Sequence, residues 1–443
     1  MTILIKSKIN KFNKKILVDG DKSLSIRWAL LASQAVGRSK AKNLPQSEDV
    51  KSTLRCLKKL GVLIKFSKKN CEINGNGINS FKFKKGLSLD AGNSGTAARL
   101  LMALLVKSPN FIKITGDNSL KTRDMKRIIE PMEKFGATFK RNKGNLPLFI
   151  KGTDSVNPIF YKEMRGSAQC KSAVMLASLF SSEKTKLKCL PSRNHTELLF
   201  KYLKIPIKIK SSGKFDFIEI ENKKKFKSFN YKIPGDISSA SFLIVLTLLS
   251  KKSKIVIKNI NINPTRTGVI TILNKMGASI ILKNKKPYKG EIVADIHVES
   301  KDKLKAINLP KKFNNSSAID EFLLIFICCA FAHGVSTFHG LEELNKKESK
   351  RLDWSFKILK KIDIKVQKIK NSGIKIWGNP NLRLNKKYII KNYAKDHRIA
   401  MSTIILGLVR GGQWKIYDAS ESIKTSFPSF LKIIKKLGGK INK

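Results

Sequence analysis

Six short polar segments stand directly before apolar stretches in the 443-residue sequence. They are "DKSLSIR" from Asp21, "GNSGT" from Gly92, "GSAQCKS" from Gly166, "GDISSAS" from Gly235, "SAIDE" from Ser317 and "KDHR" from Lys395. Ser, Thr, Asp and Gly are the residues that cap helix N-termini. A helix start has unpaired N–H groups and a partial positive charge, so it also attracts anions. At any one segment, a cap alone and a cap that also serves an anion are both open. Gly95 favours the second, because without a Cβ it lets an oxyanion approach the backbone.

The placement of arginine adds to this. Only 14 of the 89 basic residues are Arg. Of these, Arg27, Arg99, Arg123, Arg193, Arg351 and Arg398 lie in or beside the polar segments or the loops that follow. Arg grips carboxylate and phosphate with a bidentate fork, where Lys supplies a point charge. In a chain that otherwise uses Lys, this placement points to recognition of small, multiply charged anions.

The net charge of +57 invites a nucleic-acid reading. Against it, the lysines are spread in short runs such as "SKKN", "NKKKFKS" and "KNKKP" rather than gathered into an arm or stripe. A solvated Lys-rich surface and no specific nucleic-acid partner is the expectation. The six Cys form no CxxC pair and read as reduced thiols in or near the core. The five His have no metal-ligand spacing, so no metal site is expected. No apolar run at the N-terminus suits a signal peptide. The longest apolar segment, 322–332, is far short of the ~18 residues that span a bilayer. A soluble, cytoplasmic monomer without a membrane partner is expected.

The elements that must hold these segments repeat. A helix ending in Lys, often followed by Gly, recurs as "LKKLGV" from Leu57, "MEKFGA" from Met132 and "FKYLKI" from Phe200. It returns as "LNKMGA" from Leu273, "LKKIDI" from Leu359 and "IKKLGG" from Ile434. The apolar helices behind the polar segments interleave with these, near Trp28, Ala98, Ala173, Ala240, Glu321 and Arg398. Apolar on nearly every side, they should be buried. Segments such as "FIKIT", "KIVIKNI" and "GASIILK" read as strands. Each unit of roughly 70 residues is therefore strands with one buried and one amphipathic helix. Six units could form one closed array or two groups of three, with "IPGD" at 233–236 as a hinge.

At these residues the chain resembles the EPSP synthase family. "DKSLSIR" is similar to its KSxSxR segment, "GNSGTAARL" to GNxGTxxR, and "DNSLKTRDM" to DxSLRxRPM. "GSAQCKSA" and "SRNHTE" resemble the SAQxKSA and SRDHTE of one subgroup. "NKKESKR" resembles RVKESDR, "KDHRIAM" resembles NDHRxAM, and "KTSFPSF" resembles TSFPxF. The resemblance implies a two-domain inside-out α/β barrel, each domain three βαβαββ repeats, with the active site between the domains. It gives residues 21–234 as the first domain, and 1–20 with 235–443 as the second. It implies transfer of the enolpyruvyl group of phosphoenolpyruvate to the 5-hydroxyl of shikimate 3-phosphate, with release of phosphate and no metal or organic cofactor.

Roles carried by the resemblance follow. Lys22, Ser23, Arg27, Ser167, Ala168, Gln169, Ser192, Arg193, Asp320 and Lys347 would hold shikimate 3-phosphate. Lys22, Asn93, Gly95, Thr96, Arg123, Gln169, Arg351, Arg398 and Lys424 would hold phosphoenolpyruvate. Asp320, Glu348 and Lys22 would carry the proton transfers, with Asp320 as base for the hydroxyl. An N-capping role for Asp320 and Glu321 is also open. Gly95, where Ala is associated with tolerance, implies sensitivity to glyphosate. Lys121, Asp124 and Lys350 depart from the usual Arg, Pro and Asp. The sister family, which transfers the same group to a UDP-sugar, usually carries Cys or Asp in a mobile loop near 117–124. That stretch has no Cys here, and "KSLSIR" and "SRNHTE" fit shikimate phosphate better.

Overall fold

The computed structural model describes residues 2–300, 303–370, 372–418 and 421–442. The chain forms two compact bodies. The first comprises residues 20–233 together with 287–291, and the second comprises 1–19, 234–286 and 292–443. The chain leaves the first body inside the "IPGD" segment, between Ile233 and Pro234.

Each body holds three small sheets and one apolar core. In the first body each sheet has four strands. One of them orders Tyr231–Lys232, Val36–Lys42, Asn70–Asn76 and Leu63–Ser67. In the second body two sheets have four strands and one has three. Thr2–Ile5 pairs antiparallel with Gly411–Tyr417, and Asn13–Ile16 pairs parallel with Lys254–Asn261, so N-terminal strands complete sheets built from the second half of the sequence.

The helices behind the polar segments are the interior. In the first body they are Lys22–Gln34, Gly95–Leu104 and Ala168–Ala177; the middle one packs on both others. In the second they are Ile237–Leu249, Phe322–Ala330 and His397–Arg410, each packed on the other two. Ile237–Leu249 buries all but its last residue, as a helix apolar on every side must.

The recurrent helix ending has one physical cause. In all six copies the fifth residue is left-handed: Gly61, Gly136, Lys204, Gly277, Asp363 and Gly438 have φ between +55° and +105°. In all six the sixth residue's N–H donates to the first residue's carbonyl, from Val62 to Leu57 through to Gly439 to Ile434. This closure satisfies a carbonyl that the helix end would leave bare. Four copies use Gly, which takes that conformation without a Cβ penalty.

Candidate active site

Five of the six polar segments cap their helix with a side chain. Asp21 accepts from Leu24 N at 2.8 Å, Ser94 from Ala97 N at 3.2 Å and Ser167 from Cys170 N at 3.3 Å. Asp236 accepts from Ser238 N at 2.8 Å and Asp396 from Arg398 N at 3.0 Å. The sixth does not. Phe322–Ala330 starts without a side-chain cap, so the capping role for Asp320 and Glu321 is not realised. Their carboxylates turn to Arg351, Arg398 and Ser238 instead.

In the first body, Arg27 lies one turn after Ser23 on the Lys22–Gln34 helix and is almost fully buried. Its Nη1 donates to the Ser23 carbonyl at 3.1 Å, its Nε to Thr196 Oγ1 at 2.9 Å and its Nη2 to Ser172 Oγ at 2.8 Å. Lys22, on the same first turn, pairs with Asp49 at 2.8 Å.

Two more arginines converge on the Gly92–Thr96 segment. Arg123 donates to Asn93 Oδ1 at 2.7 Å and to Ser119 Oγ at 3.2 Å. Arg99 donates to Gln169 Oε1 at 2.6 Å and to the Asp124 carbonyl at 3.1 Å. Gln169 Nε2 in turn donates to Thr96 Oγ1 at 2.9 Å. A Cβ on Gly95 would stand 2.9 Å from Arg99 Nη1 and 3.3 Å from Arg123 Nη1. Any side chain at position 95 would therefore press on both guanidinium groups.

Ser167, Ala168 and Gln169 form the half-buried start of their helix, and Arg193 is half-buried in the loop before His195. That start is held by buried Glu163, which accepts from Arg165 N and Ser167 N, each at 3.0 Å. Burial pushes the Glu163 carboxyl up from its ordinary range, although these N–H bonds oppose the shift. Ser192 is buried; its carbonyl accepts from Lys171 Nζ at 3.2 Å, and its hydroxyl has no hydrogen-bond partner among the described residues.

In the second body the arginines are caged by acids. Arg351 donates Nη1 to Asp320 at 3.0 Å, Nε to Asp396 at 2.8 Å and Nη2 to Glu348. Burial would favour the neutral guanidine, but Asp396, Glu348 and Asp320 outweigh it and hold Arg351 charged. Arg398 donates to the Asp320 carbonyl at 2.9 Å and lies 3.6 Å from its carboxylate and 3.8 Å from Glu321. Ser238 joins Glu321 to buried Arg266, which pairs with Asp236 at 3.2 Å. Lys347 is half-buried between Lys346 and Glu348 in the same segment. Lys424 is not drawn into this network: its side chain is 57% exposed and pairs with Glu421 at 2.5 Å. Its neighbour Thr425 reaches His397 Nδ1 at 3.3 Å instead.

The arrangement can bind several anionic groups, with one carboxylate, Asp320, held between two cations. Burial pushes the Cys56, Cys71, Cys170 and Cys189 thiols up to about 12, so none in the first body is a ready nucleophile. No group of three or more His, Cys, Asp or Glu among the described residues could hold a metal ion. No described helix is long and apolar enough to cross a membrane. Sequence reasoning passed over Thr196, Ser172, Lys171, Glu163, Asp49, Asp396 and Arg266. Asp396, Lys171, Ser172 and Thr196 lie inside quoted segments, and the place of Asp396 two residues before Arg398 was the clearest signal. Asp49 and Arg266 act through partners 27 and 30 residues away, and Glu163 binds the backbone just before its helix.

Comparison with known proteins now adds to the geometry. The sequence model of the family described as EPSP synthase (3-phosphoshikimate 1-carboxyvinyltransferase) matches residues 6–434. A 3-phosphoshikimate 1-carboxyvinyltransferase from Ruthia magnifica subsp. Calyptogena magnifica is 38% identical over 98% of this chain and 97% of its own. One from Thermoanaerobacter sp. (strain X514) is also 38% identical, over 98% and 99%. Among solved structures, an EPSP synthase from Acinetobacter baumannii superposes with a TM-score of 0.85 at 33% identity, covering 100% of this chain and 99% of that one. The enolpyruvyl transferase NikO from Streptomyces tendae, at 11% identity and a TM-score of 0.72, shares the fold.

Proposed function

We propose, from the premise that this chain belongs to the EPSP synthase (3-phosphoshikimate 1-carboxyvinyltransferase) family, that it moves the enolpyruvyl group of phosphoenolpyruvate to the 5-hydroxyl of shikimate 3-phosphate and releases phosphate. The observation that carries this is the family match across residues 6–434, which includes all six polar segments. Their clustered arginines support it, because both substrates are multiply charged anions.

The first body's residues would hold shikimate 3-phosphate through Lys22, Ser23, Arg27, Ser167, Ala168, Gln169, Ser192 and Arg193. Its Asn93, Gly95, Thr96 and Arg123 would serve phosphoenolpyruvate, with Lys22 and Gln169 touching both substrates. The second body would add Arg351 and Arg398 to phosphoenolpyruvate, and Asp320 and Lys347 to the shikimate hydroxyls.

The reaction needs a base at the 5-hydroxyl and an acid at the methylene carbon, then the reverse as phosphate leaves. Asp320, whose carboxylate lies 3.0 Å from Arg351 and 3.6 Å from Arg398, suits the base. Glu348 and Lys22 would move the other protons. Lys424, paired with Glu421 on an exposed turn, is the weakest member of the set.

The test is phosphate release from phosphoenolpyruvate with shikimate 3-phosphate or a UDP-sugar as acceptor. Release with shikimate 3-phosphate alone is expected. Release with the UDP-sugar alone would transfer the reading to the sister activity. Salt-sensitive nucleic-acid binding without turnover would replace it.

A further inference from the structure

Three consecutive residues at the start of the His195–Tyr202 helix each bind a different element of the first body. His195 Nδ1 meets Glu291 Oε1 at 2.6 Å on the hairpin tip 287–291. Glu197 pairs with Lys171 at 2.5 Å on the Ala168–Ala177 helix, and Lys171 also holds the Ser192 carbonyl. Between them, Thr196 reaches Arg27 on the Lys22–Gln34 helix. All of these side chains are buried.

At Thr196 and Ser172 the guanidinium of Arg27 can only donate, so both hydroxyls accept from it. Thr196 Oγ1 donates its single proton to Ser172 Oγ at 2.7 Å, which leaves its lone pairs to accept from Arg27 Nε. Ser172 Oγ accepts both from Thr196 and from Arg27 Nη2. Two donors of a planar fork are thereby pinned by two hydroxyls that are themselves tied together. The plane of the guanidinium is set, and neither hydroxyl brings a charge of its own. His195 and Glu197 clamp the backbone on either side, so Thr196 cannot shift without breaking a buried pair.

We propose that Thr196, together with Ser172, is a positioning residue that aims the Arg27 guanidinium at shikimate 3-phosphate. This rests on the reading of Arg27 as a ligand of that substrate. Thr196 touches no reacting atom; its effect passes through Arg27. A polar knot that served folding alone would affect both substrates alike, or neither.

Steady-state kinetics on the full chain decide this, with Thr196→Val, Thr196→Ser, Ser172→Ala and Arg27→Ala compared. Thr196→Val keeps the shape and removes the acceptor, and should raise KM for shikimate 3-phosphate about tenfold. KM for phosphoenolpyruvate should stay within about twofold, and Thr196→Ser should restore most of the loss. Ser172→Ala should move the same constant in the same direction, and it decides the matter if Thr196→Val does not fold. If Arg27→Ala raises KM for shikimate 3-phosphate but Thr196→Val and Ser172→Ala do not, the positioning role is wrong and the reading of Arg27 stands. Equal rises for both substrates overturn the positioning role as well. If Arg27→Ala leaves that KM unchanged, the reading of Arg27 fails and takes the positioning role with it.

Discussion

The two bodies hold their arginines by different means. In the first, Arg27, Arg99 and Arg123 donate to hydroxyls, side-chain amides and carbonyls of Thr196, Ser172, Gln169, Asn93, Ser119, Ser23 and Asp124. In the second, Arg351 and Arg266 donate to the carboxylates of Asp320, Glu348, Asp396 and Asp236, and Arg398 donates to the Asp320 carbonyl with the carboxylates of Asp320 and Glu321 at 3.6 and 3.8 Å. Hydroxyls, amides and carbonyls orient a cation without bringing a charge of their own. Carboxylates neutralise it, but place acids where protons can be moved. On the proposed reading, the same helix-start pattern would serve anion binding in the first body and proton transfer in the second.

The sharpest way to break this contrast is Asp320→Ala. Loss of the base should lower kcat for phosphate release about 10²–10⁴-fold. A loss of less than tenfold would remove Asp320 from the chemistry and leave the second body as a second binding half.

Removing one arginine from each body tests the physical side. Arg351→Ala leaves buried Asp396 without its main cation and should cost roughly 3–5 kcal/mol of folding stability. Arg27→Ala leaves hydroxyls that can bond each other and should cost about 1–3 kcal/mol. Urea denaturation of the two variants measures both, and equal costs would erase the distinction.

Gly95→Ala then probes the first body alone. The new methyl would press on Arg99 and Arg123, raising KM for phosphoenolpyruvate about tenfold while that for shikimate 3-phosphate holds. In the wild-type chain glyphosate should inhibit in competition with phosphoenolpyruvate, and in this variant more weakly; no inhibition of the wild type would detach Gly95 from that site.

The smallest effects come from the repeated helix ends, one per body. Lys204→Gly should stabilise the first body by about 0.5–1 kcal/mol, since a left-handed Cβ is relieved. Asp363→Gly should give the second body less, because it also loses an exposed pair with Lys386 at 2.7 Å. Thermal unfolding resolves the two shifts.

Six units, six buried helices and the polar segments before them are local patterns, and each is visible in the order of residues. Periodicity dictates which helix face is dry, a cap needs only its own next three residues, and a left-handed helix end needs only the six residues that close it. The arginines worth attention were also legible, because their side chain is rare in this chain and stands beside those caps. What partners they take was not. Arg27 meets Thr196 and Ser172 across 169 and 145 residues, and Arg351 meets Asp396 across 45. Nor could the order of residues tell that Asp320 and Glu321 would forgo capping, that Arg266 would bury itself on Asp236, or that the tip at 287–291 would lie with the first body. A hydrogen bond depends on where two side chains end in space, and only the packing of helices against one another fixes that. The order of residues sets the repeats, five of the six caps and the placement of arginine beside them, because these need only near neighbours. Packing alone sets that Arg27 meets the hydroxyls of Thr196 and Ser172 and that Arg351 meets three carboxylates.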